Sequence, residues 1–281
     1  MNKVTIIDGK AIAAKLEKDL TEKLAASHKK PGLAFVLVGN NAASRSYVSM
    51  KKKACARIGI LSIDKEFPET ISEAHLTEEI NWLNRDPAVH GILVQLPLPS
   101  HISTTNIMEA VNPQKDVDGF HPINVGKMLL GETDGFLPCT PKGVVVLLAS
   151  ANIPVEGKHV VIVGRSNIVG KPLAAILMQK APHCNATVTV ANSYTKNLKE
   201  ICKSADILIA AIGSPKFITK DMVKPGSVVI DVGINRVNNL IIGDVDFENV
   251  APITSHITPV PGGVGPMTIA MLMSNLLRSV S

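Results

Sequence analysis

Val160-Val161-Ile162-Val163-Gly164-Arg165-Ser166-Asn167-Ile168-Val169-Gly170 is the stretch of sequence that decides the fold. Four apolar β-branched residues lead into Gly164, and Pro172 follows where its fixed φ suits the first turn of a helix. The predicted order is a buried strand, a tight turn and a helix. Dinucleotide-binding folds begin in this way, because the free amide groups of a helix N-terminus favour a pyrophosphate.

The glycine spacing alone is a weak match to the dinucleotide pattern G-x-G-x-x-G. Only Gly164 and Gly170 remain, with Ser166 between them, and a glycine turn without a ligand could look the same. The context strengthens the interpretation, because apolar strands recur at the spacing of βαβ units and predict a parallel sheet. The predicted strands are His159–Val163, Thr187–Ala191, Ile207–Ile212 and Val228–Val232.

The end of the second of these strands indicates which dinucleotide binds. An enzyme that uses NAD places Asp or Glu there to hold the ribose 2′-hydroxyl, whereas this chain has Asn192-Ser193-Tyr194. Arg165 could meet a 2′-phosphate with charge-assisted hydrogen bonds, although it could also be a solvated surface cation. The residues therefore favour NADP over NAD.

The first half of the chain also alternates between strands and helices. The predicted segments are a helix from Ile12, a strand over Leu33–Val38, helices over Ala43–Ile58 and Ser72–Arg85, and a strand over Gly91–Pro97. Val111–Pro141 reads as loops, and a hinge helix is predicted over Lys142–Ala151. A last helix, Thr268–Leu277, capped by Thr268, is expected to return to the first lobe.

The predicted fold class is therefore α/β, with two lobes, the second being Rossmann-like. A chain of 281 residues is long enough for two domains. We expect one domain over residues 1–140 plus 268–281 and an NADP-binding domain over residues 141–267.

Composition argues against several classes of function. A net charge of +5 and only 3% aromatic residues do not suit nucleic acid, and no apolar run is long enough for a bilayer. The cysteines and histidines show no metal-binding spacing, so no metal site is predicted. The N-terminus does not look like a secretory signal, and a cytoplasmic protein is expected. All four cysteines are expected to be buried free thiols.

Tyr47 and Lys51 lie four residues apart in a predicted helix and share a face. Lys52 and Lys53 follow directly, and like charges together with burial would favour a neutral amine that can take up a proton. Such a cluster is also typical of a solvated helix face. A Tyr-x-x-x-Lys pair occurs in short-chain dehydrogenases, but there it follows the glycine loop, whereas here it precedes the loop, so that interpretation is rejected.

Three further polar positions lie within or after the predicted strand over Gly91–Pro97. Gln95 lies within an apolar run and needs hydrogen-bond partners. Asp116 and Asp118 lie in the predicted loop region, where carboxylates could cap, turn or bind a metal.

Together these segments resemble the bifunctional methylenetetrahydrofolate dehydrogenase/methenyltetrahydrofolate cyclohydrolase family over nearly the whole chain. The matching strings are Asp8-Gly9-Lys10, Tyr47-Val48 with Lys51, Gly91 to Pro99, Lys115 to Pro122, Pro138 to Pro141, Gly164-Arg165-Ser166 with Ile168-Val169-Gly170, Val229 to Asn235, and Thr258 to Thr268.

The resemblance implies a role for each matching residue. There would be a cleft between the two α/β lobes, with a catalytic and folate-binding first lobe, NADP on the second lobe, and the folate reaching across from the first. Lys51 would be the catalytic acid/base group, Tyr47 would stack on the folate, Gln95 would hydrogen-bond to the lysine and Asp118 would bind the pterin. Further substrate contacts would come from Pro259, Gly262 and Gly263. The NADP contacts would be Gly164, Arg165, Ser166, Ser193 and Ile234. A homodimer is also implied.

One departure and three alternatives remain. Relatives often carry Cys-His before the serine that matches Ser193 and a basic residue after it, but this chain has Ala191-Asn192 and Tyr194, which weakens the NADP preference. The chain could be a dehydrogenase alone, although Lys51 and Gln95 argue against it. It could be a non-catalytic NADP- or folate-binding module, or an unrelated dehydrogenase that shares only the Rossmann half.

Overall fold

The structure, a computed structural model, describes residues 4–27, 29–238 and 240–280. The chain divides into two compact units. Residues 1–14 and 140–268 form what we call the six-stranded unit, and residues 15–139 and 269–281 form the three-stranded unit. Each unit has its own parallel sheet, so the predicted α/β class with two domains is confirmed.

The strands are β1 (Thr5–Ile6), β2 (Gly32–Val38), β3 (Leu61–Phe67), β4 (Gly91–Val94), β5 (His159–Val163), β6 (Thr187–Ala191), β7 (Ile207–Ala210), β8 (Val228–Asp231), β9 (Asn235–Val237), β10 (Leu240–Ile242) and β11 (His256–Ile257). The α-helices are α1 (Gly9–Ser27), α2 (Ala42–Ile58), α3 (Glu73–Arg85), α4 (Thr104–Ala110), α5 (Pro122–Leu130), α6 (Cys139–Ser150), α7 (Gly170–Leu177), α8 (Leu198–Lys203), α9 (Phe247–Val250) and α10 (Val264–Ser279). Two short 3-10 helices span Lys220–Met222 and Ala251–Ile253.

The three-stranded unit is built around β2, whose seven residues are all buried. Its sheet has the order β3-β2-β4, and both pairings are parallel. Leu76, Ile80 and Leu83 of α3 are fully buried in the same core as alternate residues of β2 and β4. Their spacing of three and four residues is that of one helix face, which is why this sequence forms an amphipathic helix over the sheet.

The six-stranded sheet has the order β1-β11-β8-β7-β5-β6, and every pairing in it is parallel. Strands β5 and β6 have the bounds predicted from the sequence, while β7 and β8 end earlier than predicted, at Ala210 and Asp231. Residues in β5, β7 and β8 are almost entirely buried because helices cover both faces of a parallel sheet. The predicted βαβ alternation is confirmed.

Three local features differ from the sequence predictions. Strand β3 was not predicted, because it mixes polar and apolar residues and has no buried apolar run. All of its residues are half-buried or exposed. Helix α5 lies inside the segment predicted as loops, and the His121 side chain caps it by accepting from the Ile123 N–H. The predicted N-cap at Thr268 is wrong, because α10 begins at Val264 and the Thr268 hydroxyl bonds back to the Val264 carbonyl.

The first fourteen residues group with the six-stranded unit, whereas we expected them in the first lobe. The physical reason is the pairing of β1 with β11, in which Thr5 lies opposite His256 and Ile6 opposite Ile257. The other division points, at residues 139/140 and 268/269, lie within one residue of the expected ones.

Helix α10 ends in the three-stranded unit, as the sequence predicted. Asn275 is fully buried there, and its Nδ2 donates to the carbonyls of Val117 (2.8 Å) and Leu137 (3.0 Å). Leu276 packs so closely on Gly91 that a Cβ at Gly91 would lie 2.7 Å from the leucine Cδ1. No helix in the part of the chain that the structure describes is long and apolar enough to span a bilayer.

Replacing Asn275 with Ala should destabilise the protein by about 2–4 kcal/mol, because two buried carbonyls lose their donor and a cavity forms. The free energy of unfolding in urea measures the loss. Ser279→Ala on the same helix is the matched control, since its hydroxyl bonds only to Leu276 of its own helix, and it should cost below about 0.5 kcal/mol. Equal losses in the two variants would contradict the role given to Asn275.

Candidate functional site

Helix α2 carries Tyr47 and Lys51 one turn apart. The helix begins where the Asn41 side chain accepts hydrogen bonds from Ala43 N–H and Ser44 N–H, and it ends at Gly59, whose φ of +94° suits a C-cap. Tyr47 is half-buried, and Lys51 is only 7% exposed. A lysine this deeply buried requires a polar partner, so the helix presents an amine in a confined polar site.

The partner of Lys51 is Gln95. Lys51 Nζ donates to Gln95 Oε1 over 3.2 Å. Gln95 follows β4 directly, and its N–H extends the sheet ladder to the Val36 carbonyl over 2.9 Å. Its Nε2 donates to the Leu96 carbonyl over 2.7 Å, so the amide oxygen is left to face the amine. The structure thus brings together two residues that are 44 positions apart in the sequence.

Asp116 and Asp118, the two aspartates identified in the sequence, have different roles. Asp116 is buried, and its carboxylate accepts from the N–H groups of Gly119 and His121 and from Asn124 Nδ2. It therefore builds the loop on which Asp118 lies. Gly119, with φ of +74°, closes that loop, because a Cβ there would lie 2.6 Å from the Leu137 backbone.

Asp118 lies close enough to Lys51 for their charges to interact, and it is the carboxyl group of this site. Burial raises the pKa of Asp118, and the negative charge of Asp116 adds to that rise. The positive charge of Lys51 and a hydrogen bond from the Cys139 thiol act in the opposite direction. The loop thus sets a carboxyl group with a perturbed pKa beside a buried amine, an arrangement common at functional sites.

The lysines that follow Lys51 have different surroundings. Lys52 forms an ion pair with Asp64 at 2.6 Å, and Lys53 is exposed. The charge of Lys52 is therefore partly balanced by β3, and only Lys51 of the three lies in the polar site.

In the six-stranded unit, the turn after β5 requires its two glycines. Gly164 has φ of +126°, and a Cβ there would lie 2.0 Å from the Ala211 carbonyl oxygen. A Cβ at Gly170 would lie 2.1 Å from the Gly164 carbonyl oxygen, so the start of α7 is packed against the turn. Ser166 Oγ accepts from the Val169 N–H over 3.1 Å and the Gly170 N–H over 3.4 Å. The serine thus fixes the turn where the usual motif has a glycine.

The other predicted cofactor residues follow neighbouring strands of the same sheet. Ser193 is exposed in the turn after β6, and Ile234 is 41% exposed just after β8. The guanidinium carbon of Arg165 lies 5.7 Å from the centre of the Tyr194 ring. Because parallel strands end at a common edge, Gly164, Arg165, Ser193 and Ile234 all lie on loops at the carboxyl edge of this sheet.

Asp244, which the sequence analysis missed, organises two of these loops. Its fully buried carboxylate accepts from the backbone N–H groups of Ile212 (2.6 Å), Gly213 (2.9 Å) and Ser214 (3.0 Å) and from Asn235 Nδ2 (2.8 Å). These donors lie after β7 and after β8. No sequence signal marks Asp244, because its partners are distant in the chain.

Asp231, also missed, ends β8 and is buried. Its carboxylate accepts from the N–H groups of Gly233, Asp244 and Val245, each at 2.9 Å. Burial, together with a smaller contribution from the charge of Asp244, raises the pKa of Asp231 to about 6 in spite of these hydrogen bonds. A polar residue directly after Val228-Val229-Ile230 is the signal that could have found it.

These loops suit a dinucleotide. The glycine turn allows backbone to approach a pyrophosphate at the start of α7. The edge carries the cation of Arg165 and no carboxylate at Asn192 or Ser193. In the described ranges, no set of three or more His, Cys, Asp or Glu side chains is arranged to hold a metal ion.

Pro259, Gly262 and Gly263 belong to the six-stranded unit, in the loop between β11 and α10. Gly262 has φ of +111°, and its carbonyl accepts from the Lys10 N–H over 2.9 Å. A Cβ at Gly263 would lie 2.6 Å from the Pro259 carbonyl oxygen, so this loop is tightly folded. Tyr47, Lys51, Gln95 and Asp118 belong to the three-stranded unit.

Family models match both halves of the chain. Residues 7–118 match the catalytic domain of tetrahydrofolate dehydrogenase/cyclohydrolase, and residues 138–281 match the NAD(P)-binding domain of the same enzymes. The first match contains Tyr47, Lys51, Gln95 and Asp118, and the second contains the glycine turn.

Full-length relatives agree with these matches. The chain is 57% identical over 284 residues to the bifunctional protein FolD of Protochlamydia amoebophila (strain UWE25), covering 98% of this chain and 97% of the relative. It superimposes with a TM-score of 0.94 on the FolD methylenetetrahydrofolate dehydrogenase/cyclohydrolase of Campylobacter jejuni, at 51% identity and 98% coverage of each chain. A TM-score of 0.94 is also found with the Trypanosoma brucei enzyme complexed with NADP and an inhibitor, at 36% identity and coverage of 99% and 98%.

The raised pKa of Asp231 predicts a pH dependence of stability. The folded state holds this proton more tightly than the unfolded chain, so the stabilisation present below the unfolded value of 3.8 is lost as the pH rises to about 6. The loss is on the order of 3 kcal/mol. The difference in unfolding free energy between the wild type and Asp231→Asn, measured in urea from pH 4 to pH 7, should fall by this amount.

Asp19→Asn on the exposed face of α1 is the control and should show no such trend. If Asp231→Asn does not fold, carboxyl carbon NMR of the wild type replaces it, and one aspartate should titrate near pH 6. A constant difference between the variants, or no aspartate titrating in that range, would contradict the assignment.

Proposed function

The chain belongs to the tetrahydrofolate dehydrogenase/cyclohydrolase family, and from this we propose that it oxidises 5,10-methylenetetrahydrofolate to 5,10-methenyltetrahydrofolate with NADP and hydrolyses the product to 10-formyltetrahydrofolate. This is chemistry of one-carbon metabolism. The observation that carries the proposal is the buried contact of Lys51 with Gln95, beside Asp118, in the unit matched by the catalytic-domain model. This contact holds the Lys51 amine in a position suited to proton transfer.

The oxidation demands little acid or base from the protein. Bound NADP supplies the hydride acceptor, and the folate nitrogens stabilise the methenyl cation, so the protein contributes mainly positioning. Gly164 and Gly170 let backbone approach the pyrophosphate, and Ser166 fixes the turn between them. Arg165 and Ser193 are proposed to contact the 2′-phosphate end, and Ile234 offers an apolar contact.

The hydrolysis requires proton transfer to and from water, and Lys51 is proposed as the acid/base group. Gln95 is a positioning residue, because its oxygen fixes the amine at one point of the site. The Asp118 carboxyl is proposed to bind the N–H groups of the pterin, and the half-buried Tyr47 ring to stack on the folate. The resemblance supports a further substrate contact from the tightly folded loop of Pro259, Gly262 and Gly263.

We also propose a homodimer in the cytoplasm. The resemblance supports the dimer, and light scattering should give a mass twice that of the chain. The four cysteines are buried thiols and form no disulfide with one another, which suits a reducing compartment.

Lys51→Ala should abolish the hydrolysis of methenyltetrahydrofolate while NADP binding persists, because the variant loses the proton-transfer group and leaves the six-stranded unit intact. Hydrolysis is followed by the loss of methenyl absorbance, and binding by titration with NADPH. Lys53→Ala, two positions along the same helix on an exposed side chain, is the matched control and should keep both properties. Full hydrolytic activity in Lys51→Ala would refute the role of the lysine and favour a dehydrogenase alone.

Asp118→Asn should lower kcat/KM for both folate reactions by roughly 10–100-fold, since a carboxylate that accepts from the pterin is lost. The dissociation constant for NADPH should not change. Asp64→Asn removes an exposed carboxylate from the same unit and serves as the control, with both reactions kept. Unchanged kcat/KM for both folate reactions in Asp118→Asn would contradict the proposal.

A further inference from the structure

Two turns meet at the carboxyl edge of β5 and β6. The strands pair in parallel with Val163 opposite Ala191, and the Gly164 N–H donates to the Ala191 carbonyl over 2.9 Å. The turns that follow the two strands therefore start from fixed positions relative to each other. Arg165 leaves the first turn, and Tyr194 leaves the second.

The second turn is held by three hydrogen bonds that all involve Asn192. Its side-chain oxygen accepts from the Tyr194 N–H over 3.0 Å, its carbonyl accepts from the Thr195 N–H over 2.9 Å, and its own N–H donates to Thr195 Oγ1 over 2.8 Å. The backbone that carries Tyr194 is thus defined on both sides. Such a turn holds an aromatic ring in place at a low additional cost in conformational entropy.

The ring of Tyr194 adds nothing to the core. The residue is 84% exposed, yet the Arg165 guanidinium carbon lies 5.7 Å from the ring centre, within the range of a cation–π contact. A guanidinium that stacks by its face keeps the N–H groups of its edge available. In the ranges 4–27, 29–238 and 240–280, no hydrogen bond or ion pair to a protein acceptor is found for Arg165.

We propose that Tyr194 is a specificity-determining positioning residue, which holds the Arg165 guanidinium so that its free edge binds the 2′-phosphate of the dinucleotide. This inference rests on the proposed NADP-dependent function and deepens it. The tyrosine carries no positive charge of its own and acts by fixing the charge of Arg165. The preference for a 2′-phosphate then comes from holding the Arg165 side chain in place, because preorganised N–H donors lose less entropy on binding.

The test uses two probes, 2′,5′-ADP and 5′-AMP, whose dissociation constants are measured by calorimetry on the wild type and on variants. Tyr194→Leu should weaken 2′,5′-ADP by about 3–10-fold and leave 5′-AMP unchanged, because only the phosphate contact depends on Arg165. Tyr194→Phe keeps the ring and should keep the wild-type ratio. Arg165→Ala should weaken 2′,5′-ADP by roughly tenfold or more, and adding Tyr194→Leu to it should cause no further loss.

Each other outcome has a definite meaning. Equal weakening of both probes by Tyr194→Leu would overturn the proposal, because the ring would then contact the adenosine itself. If Tyr194→Leu leaves the ratio of the two dissociation constants unchanged, the proposal is overturned as well. The proposed function would still stand in that case, provided that the wild type prefers 2′,5′-ADP. A wild type that does not discriminate between the probes would refute the NADP preference itself. Both positions tested are exposed, so loss of folding is not expected in any of the four variants, and circular dichroism checks it.

Discussion

Parallel pairing of strands is the constraint on which the rest of the structure depends. Each parallel strand needs a crossover before the next, so every strand of the two main sheets ends at the same edge as its neighbours. Residues that directly follow the strands are thereby collected from distant parts of the sequence. In the six-stranded unit this edge gathers Gly164, Tyr194 and Ile234, and in the three-stranded unit it places Gln95 after β4, where it meets Lys51 of α2.

The two proposed reactions make different demands, and the chain meets them with different chemistry. Oxidation relies on placing two ligands, and the six-stranded unit contributes backbone geometry, with a glycine turn and with loops held by Asp231 and Asp244. Hydrolysis relies on moving a proton, and the three-stranded unit contributes a buried amine with an oriented acceptor. The perturbed carboxyl of Asp118 lies beside that amine rather than in the nucleotide site.

The sequence was most informative where one residue or one periodic pattern decides the structure. The apolar run of β5 and the helix face of α3 were predicted because burial alone determines them. Strand β3 could not be predicted, since its polar residues are held in a strand by pairing with β2 rather than by burial. Asp244 escaped notice for a related reason, because its importance lies in four donors that only the folded chain brings to it.

The resemblance supplied roles for Lys51, Gln95 and Asp118 that spacing alone left open, and the structure adds the interactions between them.

The central claim is that one protein catalyses both steps. The most direct measurement is a spectrophotometric assay of the purified wild type with 5,10-methylenetetrahydrofolate, run in parallel with NADP and NAD, that follows the formation and the decay of methenyltetrahydrofolate. The account predicts formation that is faster with NADP, followed by enzyme-dependent decay. Formation without such decay, or no formation with either dinucleotide, would contradict it.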